Sequence, residues 1–194
     1  IGIFLSDVSG HGVPAAFITS MIKTIILQAG DRVYDPAKFL FYMNEVLQSQ
    51  TAGNFVTAFY CIYNPDENSI YYANAGHNQP YVIYQNNVTQ LQKGKNTAIA
   101  MFPNHMLAKA NKKFENHKDI IEPGSKLLLY TDGLVEARPI GQDTFFEYAN
   151  MEQVFKDHHQ CPCDLFLSNL MEELTAFRGS DQFEDDICLI CLDI

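Results

Sequence analysis

Strand-like and helix-like segments come in blocks along this chain rather than in alternation. An apolar strand at the start is followed by two helical patterns, then by several short strands, then by helical patterns again, and finally by a strand. Alternating strands and helices would indicate a parallel sheet, whereas blocks are typical of antiparallel sheets with helices packed on them. The order of segments therefore predicts an α+β fold whose sheets are covered by helices on their outer faces.

The boundaries of these segments follow from hydrophobic periodicity and from turn residues. Helices are predicted at 13–29, 35–48, 151–158 and 164–177, and Asp35 followed by Pro36 is a typical start for the second helix. The stretch 93–113 is predicted to be irregular. Strands are predicted at 1–5, 55–63, 69–75, 81–84, 88–91, 114–121, 126–131 and 187–193, with a hairpin turn around Asn86 and Asn87.

The composition restricts the class of protein. The chain of 194 residues carries 13 Lys and Arg against 23 Asp and Glu, a net charge of −10, which argues against a nucleic-acid surface. We find no apolar run long enough to cross a bilayer and no signal peptide, although the full-length protein could still be attached to a membrane elsewhere. The five cysteines are an odd number without disulfide or zinc spacing, so we expect reduced cysteines and a cytoplasmic location.

Three acidic motifs lie at the ends of predicted strands. They are Ser6-Asp7-Val8-Ser9-Gly10-His11-Gly12, Thr131-Asp132-Gly133 and Asp185-Asp186. If the last strand runs antiparallel to the other two, all three motifs fall on the same edge. Carboxylates that close together repel one another unless cations neutralise them, and an all-oxygen site suits Mg²⁺ or Mn²⁺ better than zinc. This pattern predicts a metal-dependent enzyme that acts on a phosphoryl group.

Four segments at 7–16, 74–80, 129–137 and 185–190 cover nearly the whole length of the chain. Together and in this order they resemble the SpoIIE/RsbU-like branch of the metal-dependent type 2C (PPM) serine/threonine protein phosphatases. The resemblance implies a four-layer αββα sandwich of two antiparallel sheets flanked by helices. It also implies two Mn²⁺ or Mg²⁺ ions and hydrolysis of phosphoserine or phosphothreonine. In this branch the substrate is typically a phosphorylated anti-sigma-factor antagonist.

The resemblance also implies roles for individual residues. Asp7 would bridge both metals and the Val8 carbonyl would bind one of them. Asp132 and Asp185 would complete the other shell, with Asp186 as the alternative if the register is shifted by one residue.

The roles of the neighbouring residues are open. His11 is a candidate proton donor, although its spacing from Asp7 differs from that of the eukaryotic relatives, so a structural role in the turn is equally supported. His77 fits an ordering role between two strands better than a catalytic one. Gly10 and Gly133 would let the backbone approach substrate or water. Glu136 would either start a helix or orient a water.

Two departures from the family pattern affect these expectations. The family has a further strand with a Gly-Asp-x-x-Asp-type motif, which is missing from 1–194, and Ser6 stands where glycine is usual. We therefore expect one phosphatase domain over 1–194 that is incomplete at its N-terminus, and uncertain activity for this stretch alone. An upstream sensor domain in the full-length protein and a homodimer through an unpaired sheet edge are further expectations. The alternative function is a catalytically silent interaction domain, and a small-molecule phosphodiesterase has weaker support.

Overall fold

The structure is a computed structural model that describes residues 1–91, 94 and 96–194. The strands are β1 (Gly2–Val8), β2 (Val56–Asn64), β3 (Ser69–Ala75), β4 (Tyr81–Tyr84), β5 (Asn87–Gln90), β6 (His117–Ile120), β7 (Lys126–Tyr130) and β8 (Leu189–Asp193). The helices are α1 (Val13–Gln28), α2 (Pro36–Leu47), α3 (Asn104–Lys109), α4 (Asp132–Val135), α5 (Phe146–Ala149), α6 (Met151–His158) and α7 (Cys163–Arg178), with a 3₁₀ turn at Gly30–Tyr34.

The strands form two four-stranded sheets, and each described ladder between neighbouring strands is antiparallel. The first sheet has the order β1-β2-β3-β6 and the second has the order β5-β4-β7-β8. The chain divides accordingly into two compact units. Unit 1 consists of Ile1–His77 and Gln92–Ile120, and unit 2 consists of Asn78–Leu91 and Ile121–Ile194.

In unit 1, helices α1 and α2 cover one face of the first sheet. Helix α2 begins where it does because the Asp35 carboxylate accepts a hydrogen bond from the Lys38 amide at 3.1 Å and Pro36 fits the first helical position. Apolar positions three and four residues apart on both helices then meet alternate residues of β2. The resulting core includes Ile18, Ile22, Ile25, Phe39, Leu40, Met43, Val56, Ala58 and Tyr60.

In unit 2, helices α6 and α7 cover one face of the second sheet. Two tyrosines of this core stack at 5.3 Å between ring centroids, Tyr81 on β4 and Tyr130 on β7. Burial raises the pKa of both phenols, that of Tyr81 to about 12, so the core carries no charge from them. The remaining core side chains include Leu128, Val154, Phe155, Phe166, Leu170 and Leu174.

The predicted α+β class with two antiparallel sheets and helices is confirmed. Several boundaries are corrected. The stretch 93–113, of which residues 93 and 95 lie outside the described residues, contains the helix α3 rather than being irregular throughout. The hairpin ladder pairs Tyr84 with Asn87, so the turn is at Gln85 and Asn86, and Gln85 takes the left-handed φ of 52°.

Two strands are shorter than predicted for reasons visible in their pairing. Strand β6 pairs only with Ser69–Tyr72 of β3, so the ladder ends at His117 instead of residue 114. Strand β8 starts at Leu189, after a segment in which the Thr131 side chain bonds the backbone of Asp186 and Cys188. Among the described residues, no helix has the length and apolar character needed to cross a membrane.

Candidate metal centre

Asp7 lies one residue before the end of β1, directly opposite Thr57 of β2. Because paired residues of an antiparallel ladder project to the same side, the two side chains share a face. It is the face away from α1 and α2, since the neighbouring Val8 packs into the helix-covered core. The Thr57 hydroxyl lies 2.9 Å from Nδ1 of His77, which follows β3. The first sheet therefore places Asp7 opposite Thr57, whose hydroxyl contacts His77 just after β3.

His77 is held in place by its own backbone. Its amide donates to the Asn74 side-chain oxygen at 2.8 Å, and the Asn74 amide group donates back to the His77 carbonyl at 3.0 Å. Gly76 has a φ of 75°, and a Cβ there would lie 3.2 Å from both the Asn96 carbonyl oxygen and the Ala98 amide nitrogen. The His77 side chain is only 3% exposed. These contacts make His77 a fixed, buried group, as an ordering role requires.

The turn after Asp7 is tied to the segment before β2. The Ser9 amide donates to the Phe55 carbonyl at 2.9 Å, and the Phe55 amide donates to the Ser9 hydroxyl at 2.8 Å. Gly10 has a φ of 90°, and a Cβ there would lie 3.0 Å from the Asn54 side-chain oxygen. His11 is exposed just before α1, and among the described residues no hydrogen bond reaches its ring. The turn is thus fixed at Ser9, while the His11 imidazole is free to meet solvent or a ligand.

In unit 2, Asp132 and the Asp185-Asp186 pair lie at one edge of the second sheet. Strands β7 and β8 are antiparallel, with Tyr130 opposite Leu189. Asp132 follows the end of β7 as the first residue of α4, and Asp185 and Asp186 precede the start of β8. The antiparallel pairing that would bring two of the acidic motifs to the same edge is therefore present for β7 and β8.

Thr131 and Gly133 hold this edge together. The Thr131 hydroxyl donates to the Asp186 carbonyl at 3.0 Å and accepts from the Cys188 amide at 2.9 Å, while the Thr131 amide donates to the Cys188 carbonyl at 3.1 Å. A Cβ on Gly133 would lie 2.6 Å from the Asp186 carbonyl oxygen, closer than real Cβ atoms come. The chain on either side of Asp132 is therefore anchored to the segment that carries Asp185 and Asp186.

The donor chemistry of this edge suits a hard divalent cation. Asp132 is partly buried and Asp185 and Asp186 are exposed, and within the described residues no lysine or arginine forms an ion pair with these three carboxylates. One oxygen of Asp185 accepts a hydrogen bond from the Asp186 amide at 2.8 Å. Asp185 and Asp186 therefore both remain candidates for the metal ligand on this segment. Over the described part of the chain, no three acidic, histidine or cysteine side chains are close enough to hold a metal, so the metal site stays a prediction.

Glu136 ends α4, and its amide donates to the Asp132 carbonyl at 2.9 Å. Its side chain is exposed.

The sequence analysis missed the structural roles of Thr57, Asn74 and Thr131. Asn74 could have been found, since an asparagine side chain that bonds the backbone three residues later is a local turn signal. The Thr131 side chain makes no capping bond to α4, and its contacts to Asp186 and Cys188, like the contact of Thr57 with His77, join distant parts of the chain that the sequence does not show to be neighbours.

The whole chain, residues 1–194, matches the family model of "Stage II sporulation protein E (SpoIIE)". Among curated proteins, phosphoserine phosphatase RsbU of Bacillus subtilis is 28% identical over 194 residues, which is 99% of this chain and 55% of that protein. The chain thus spans about half the length of this relative.

Solved structures show the same fold. The SiaA-PP2C domain of Pseudomonas aeruginosa has a TM-score of 0.79 at 22% identity, covering 100% of this chain and 75% of that one. The catalytic domain of the serine/threonine phosphatase PstP in complex with two manganese ions has a TM-score of 0.62 at 13% identity, covering 98% and 86%. The fold is therefore that of PP2C phosphatases. On the family match over its whole length, this chain belongs to the SpoIIE family.

Proposed function

We propose that this chain is the catalytic domain of a metal-dependent protein phosphatase that hydrolyses phosphoserine or phosphothreonine on a regulatory protein. The observation that carries the proposal is the anchoring of Asp132 beside Asp185 and Asp186 by Thr131 and Gly133. A carboxylate edge that is fixed by backbone contacts keeps its ligands in position without a cation having to order them, which lowers the entropic cost of binding.

The acidic residues would bind the metal ions, and their neighbours would position the substrate and water. Asp7, the Val8 carbonyl, Asp132 and Asp185 (or Asp186) would hold two Mn²⁺ or Mg²⁺ ions. When bound, these ions supply Lewis-acid activation of water and neutralise phosphate charge. The position of a Cβ at Gly133 is filled by the Asp186 carbonyl and that at Gly10 by the Asn54 side chain, so these glycines would shape the site through close packing and would not leave open space for a substrate. Glu136 would orient a water.

His11 and His77 would act differently. The exposed His11 imidazole could donate a proton to the departing serine oxygen. His77 is buried against Thr57 and would order the sheet beside Asp7.

The relatives support the finer points of the proposal. RsbU is named a phosphoserine phosphatase, and PstP was solved with two manganese ions. A structure of the RsbU and RsbW domains of Rv1364c from Mycobacterium tuberculosis shares the fold at a TM-score of 0.79 and 21% identity. We infer a phosphorylated protein of the anti-sigma-factor antagonist type as substrate, a sensor domain elsewhere in the full-length protein and a cytoplasmic location. A homodimer through the edge strand β1 belongs to the same proposal.

The test is release of phosphate from a phosphoserine protein by the full-length protein. Activity should require Mn²⁺ or Mg²⁺ and stop when a chelator is added. Asp7→Ala and Asp132→Asn should reduce activity to background, because each removes a metal ligand. His11→Ala should cost at most about 10²–10⁴-fold, the usual contribution of proton donation. Asp143→Asn is the matched control, since Asp143 is a fully exposed acid away from these motifs and should change little.

Normal activity in a folded Asp7→Ala protein would contradict the proposed ligand set. Binding of the phosphoprotein without phosphate release, at any concentration of metal, would instead support the catalytically silent interaction domain. Circular dichroism of each variant separates loss of chemistry from loss of fold.

A further inference from the structure

The N-terminus of α7 is fixed to the outer end of β8 in unit 2. The Cys163 amide, at the first position of α7, donates to one oxygen of Asp193 at 3.1 Å. The other oxygen of Asp193 binds the Lys126 ammonium group, whose side chain is only 4% exposed and lies 5.6 Å from the Phe166 ring centroid. Burial opposes ionisation of Asp193, but the hydrogen bonds from Lys126 and Cys163 lower the pKa of its carboxyl below the usual value. Asp193 therefore joins the start of α7 and the start of β7 to the end of β8.

Two thiols meet at this junction. Cys191 lies two residues before Asp193, so both project from the same face of β8 toward α7. The Cys191 and Cys163 sulfur atoms are 3.0 Å apart, and both cysteines are free. A disulfide needs sulfur atoms about 2.05 Å apart, so a small rotation of the two side chains is enough to bring them to bonding distance.

The junction is open to small molecules. Cys163 and Cys191 are both partly exposed, and a cavity of about 500 Å³ is lined by Lys126, Cys161 and Asp193, all neighbours of the pair. Of the three cysteines outside this pair, Cys161 is also partly exposed, and the other two differ. Cys61 is fully buried in unit 1, and Cys188 is exposed with its backbone engaged by Thr131.

We propose that Cys163 and Cys191 form a dithiol modification site that reacts with low-molecular-weight disulfides of the glutathione-disulfide class and closes to an intramolecular disulfide. One protein thiolate attacks a sulfur of the small disulfide and releases one small thiolate, leaving a mixed disulfide. The second cysteine loses its proton and attacks the protein sulfur of that mixed disulfide, which releases the second small thiol. The protein loses two protons and two electrons, and the small disulfide is reduced to two thiols.

The positions of the two cysteines suit this sequence of steps. Burial raises the pKa of both thiols, more strongly for Cys191, so Cys163 is the better first attacker. Cys191 is then already at the mixed disulfide, which makes the closing step intramolecular and fast. Because both thiols are protonated near neutral pH, the reaction should accelerate between pH 7 and pH 9.

The disulfide would link Cys163, the first residue of α7, to Cys191, the middle residue of β8. The closed loop from 163 to 191 includes Asp185 and Asp186, which lie before the start of β8. Cross-links of such loops stabilise folded domains, and a rise of about 5–10 °C in the melting temperature of this domain is expected.

The experiment uses the full-length protein and oxidised glutathione as the probe. Intact mass should fall by two hydrogens without a glutathione adduct, and non-reducing peptide mapping should join Cys163 to Cys191. Dithiothreitol should reverse the mass change and the melting shift. Cys163→Ser and Cys191→Ser should each stop at a mixed disulfide or remain unreacted. Cys188→Ser and Cys161→Ser, the matched controls, should close as the parent protein does.

Three outcomes would overturn the proposal. A disulfide that maps to Cys161 or Cys188 would assign the reaction to other thiols. A stable glutathione adduct on the parent protein would show that the second thiol does not reach the first. Disulfide formation that occurs only in denaturant would show that the reaction requires the unfolded chain. Mapping on the parent protein decides the matter even if a serine variant fails to fold.

Discussion

At position 133 the chain has no room for a side chain. The backbone of Gly133 lies against the Asp186 carbonyl, which also accepts the Thr131 hydroxyl. The conformation of this glycine is open to other residues, since no left-handed φ is recorded for it, so the restriction is purely steric. A single missing Cβ thus determines how closely α4 approaches the segment before β8.

Gly133→Ala should therefore displace the Asp185-Asp186 segment relative to Asp132. We expect the free energy of unfolding to fall by about 1–3 kcal/mol, the usual cost of overpacking. Phosphatase activity should fall by more than the loss of folded protein explains. Urea unfolding and phosphate release on the same preparation measure the two effects. Gly141→Ala is the control, because a Cβ there meets open space and costs only about 1 kcal/mol of left-handed strain. Equal activity in the two variants would refute the steric argument.

At the scale of elements, helix α2 depends on its first turn. Asp35 accepts from the Lys38 amide and from the Asn116 side chain at 2.7 Å, and the Asn116 oxygen accepts from the Ala37 amide at 2.8 Å. The cap therefore also joins α2 to the segment before β6. Burial raises the pKa of Asp35, but the bonds from Asn116 and Lys38 outweigh it and leave the pKa below its usual value.

Asp35→Ala should lower the free energy of unfolding by about 1 kcal/mol at pH 7, the typical value of an N-cap. Because the folded pKa is lowered, the ionised form stabilises the protein above the unfolded value of 3.8, and this contribution is lost as the pH falls through the folded value. The difference between the parent and Asp35→Ala should shrink below pH 4 in urea unfolding. Asp35→Asn keeps the capping oxygen, so its stability should not change across that range through residue 35. A difference that grows toward low pH would contradict the assignment.

At the scale of the whole molecule, the predicted metal ligands are contributed by both units. Asp7 belongs to unit 1, and Asp132, Asp185 and Asp186 belong to unit 2. In the proposed function these acids would hold the metal ions. Binding to the folded state alone also stabilises a protein, by an amount that rises with the logarithm of the metal concentration once that concentration exceeds Kd.

We expect a crystal soaked in Mn²⁺ to show anomalous density in contact with Asp7, Asp132 and either Asp185 or Asp186. Mn²⁺ should also raise the melting temperature of the parent protein, and Asp132→Asn should remove that shift without lowering the metal-free melting temperature. This measurement is independent of catalysis. Density on Asp132 without Asp7, or a melting shift that survives Asp132→Asn, would show that the predicted ligand set is wrong.

The sequence by itself determined the class of fold and the positions of the acidic motifs. Helix α2, with its Asp35-Pro36 start, and strands β3 and β4 could be located because capping, turn chemistry and periodicity act over a few residues. The three acidic motifs stood out for the same reason, as each is a short signal at the end of a strand.

Only the tertiary structure decided which residues meet. The link from Asp7 through Thr57 to His77, the contact of Gly133 with Asp186, and the approach of Cys163 to Cys191 join positions far apart in the chain. Strand register and helix packing set these contacts, and both depend on burial summed over a whole unit rather than on any local pattern. Local chemistry therefore predicted the elements and the acids, whereas long-range packing determined the neighbours of each acid and brought the two thiols together.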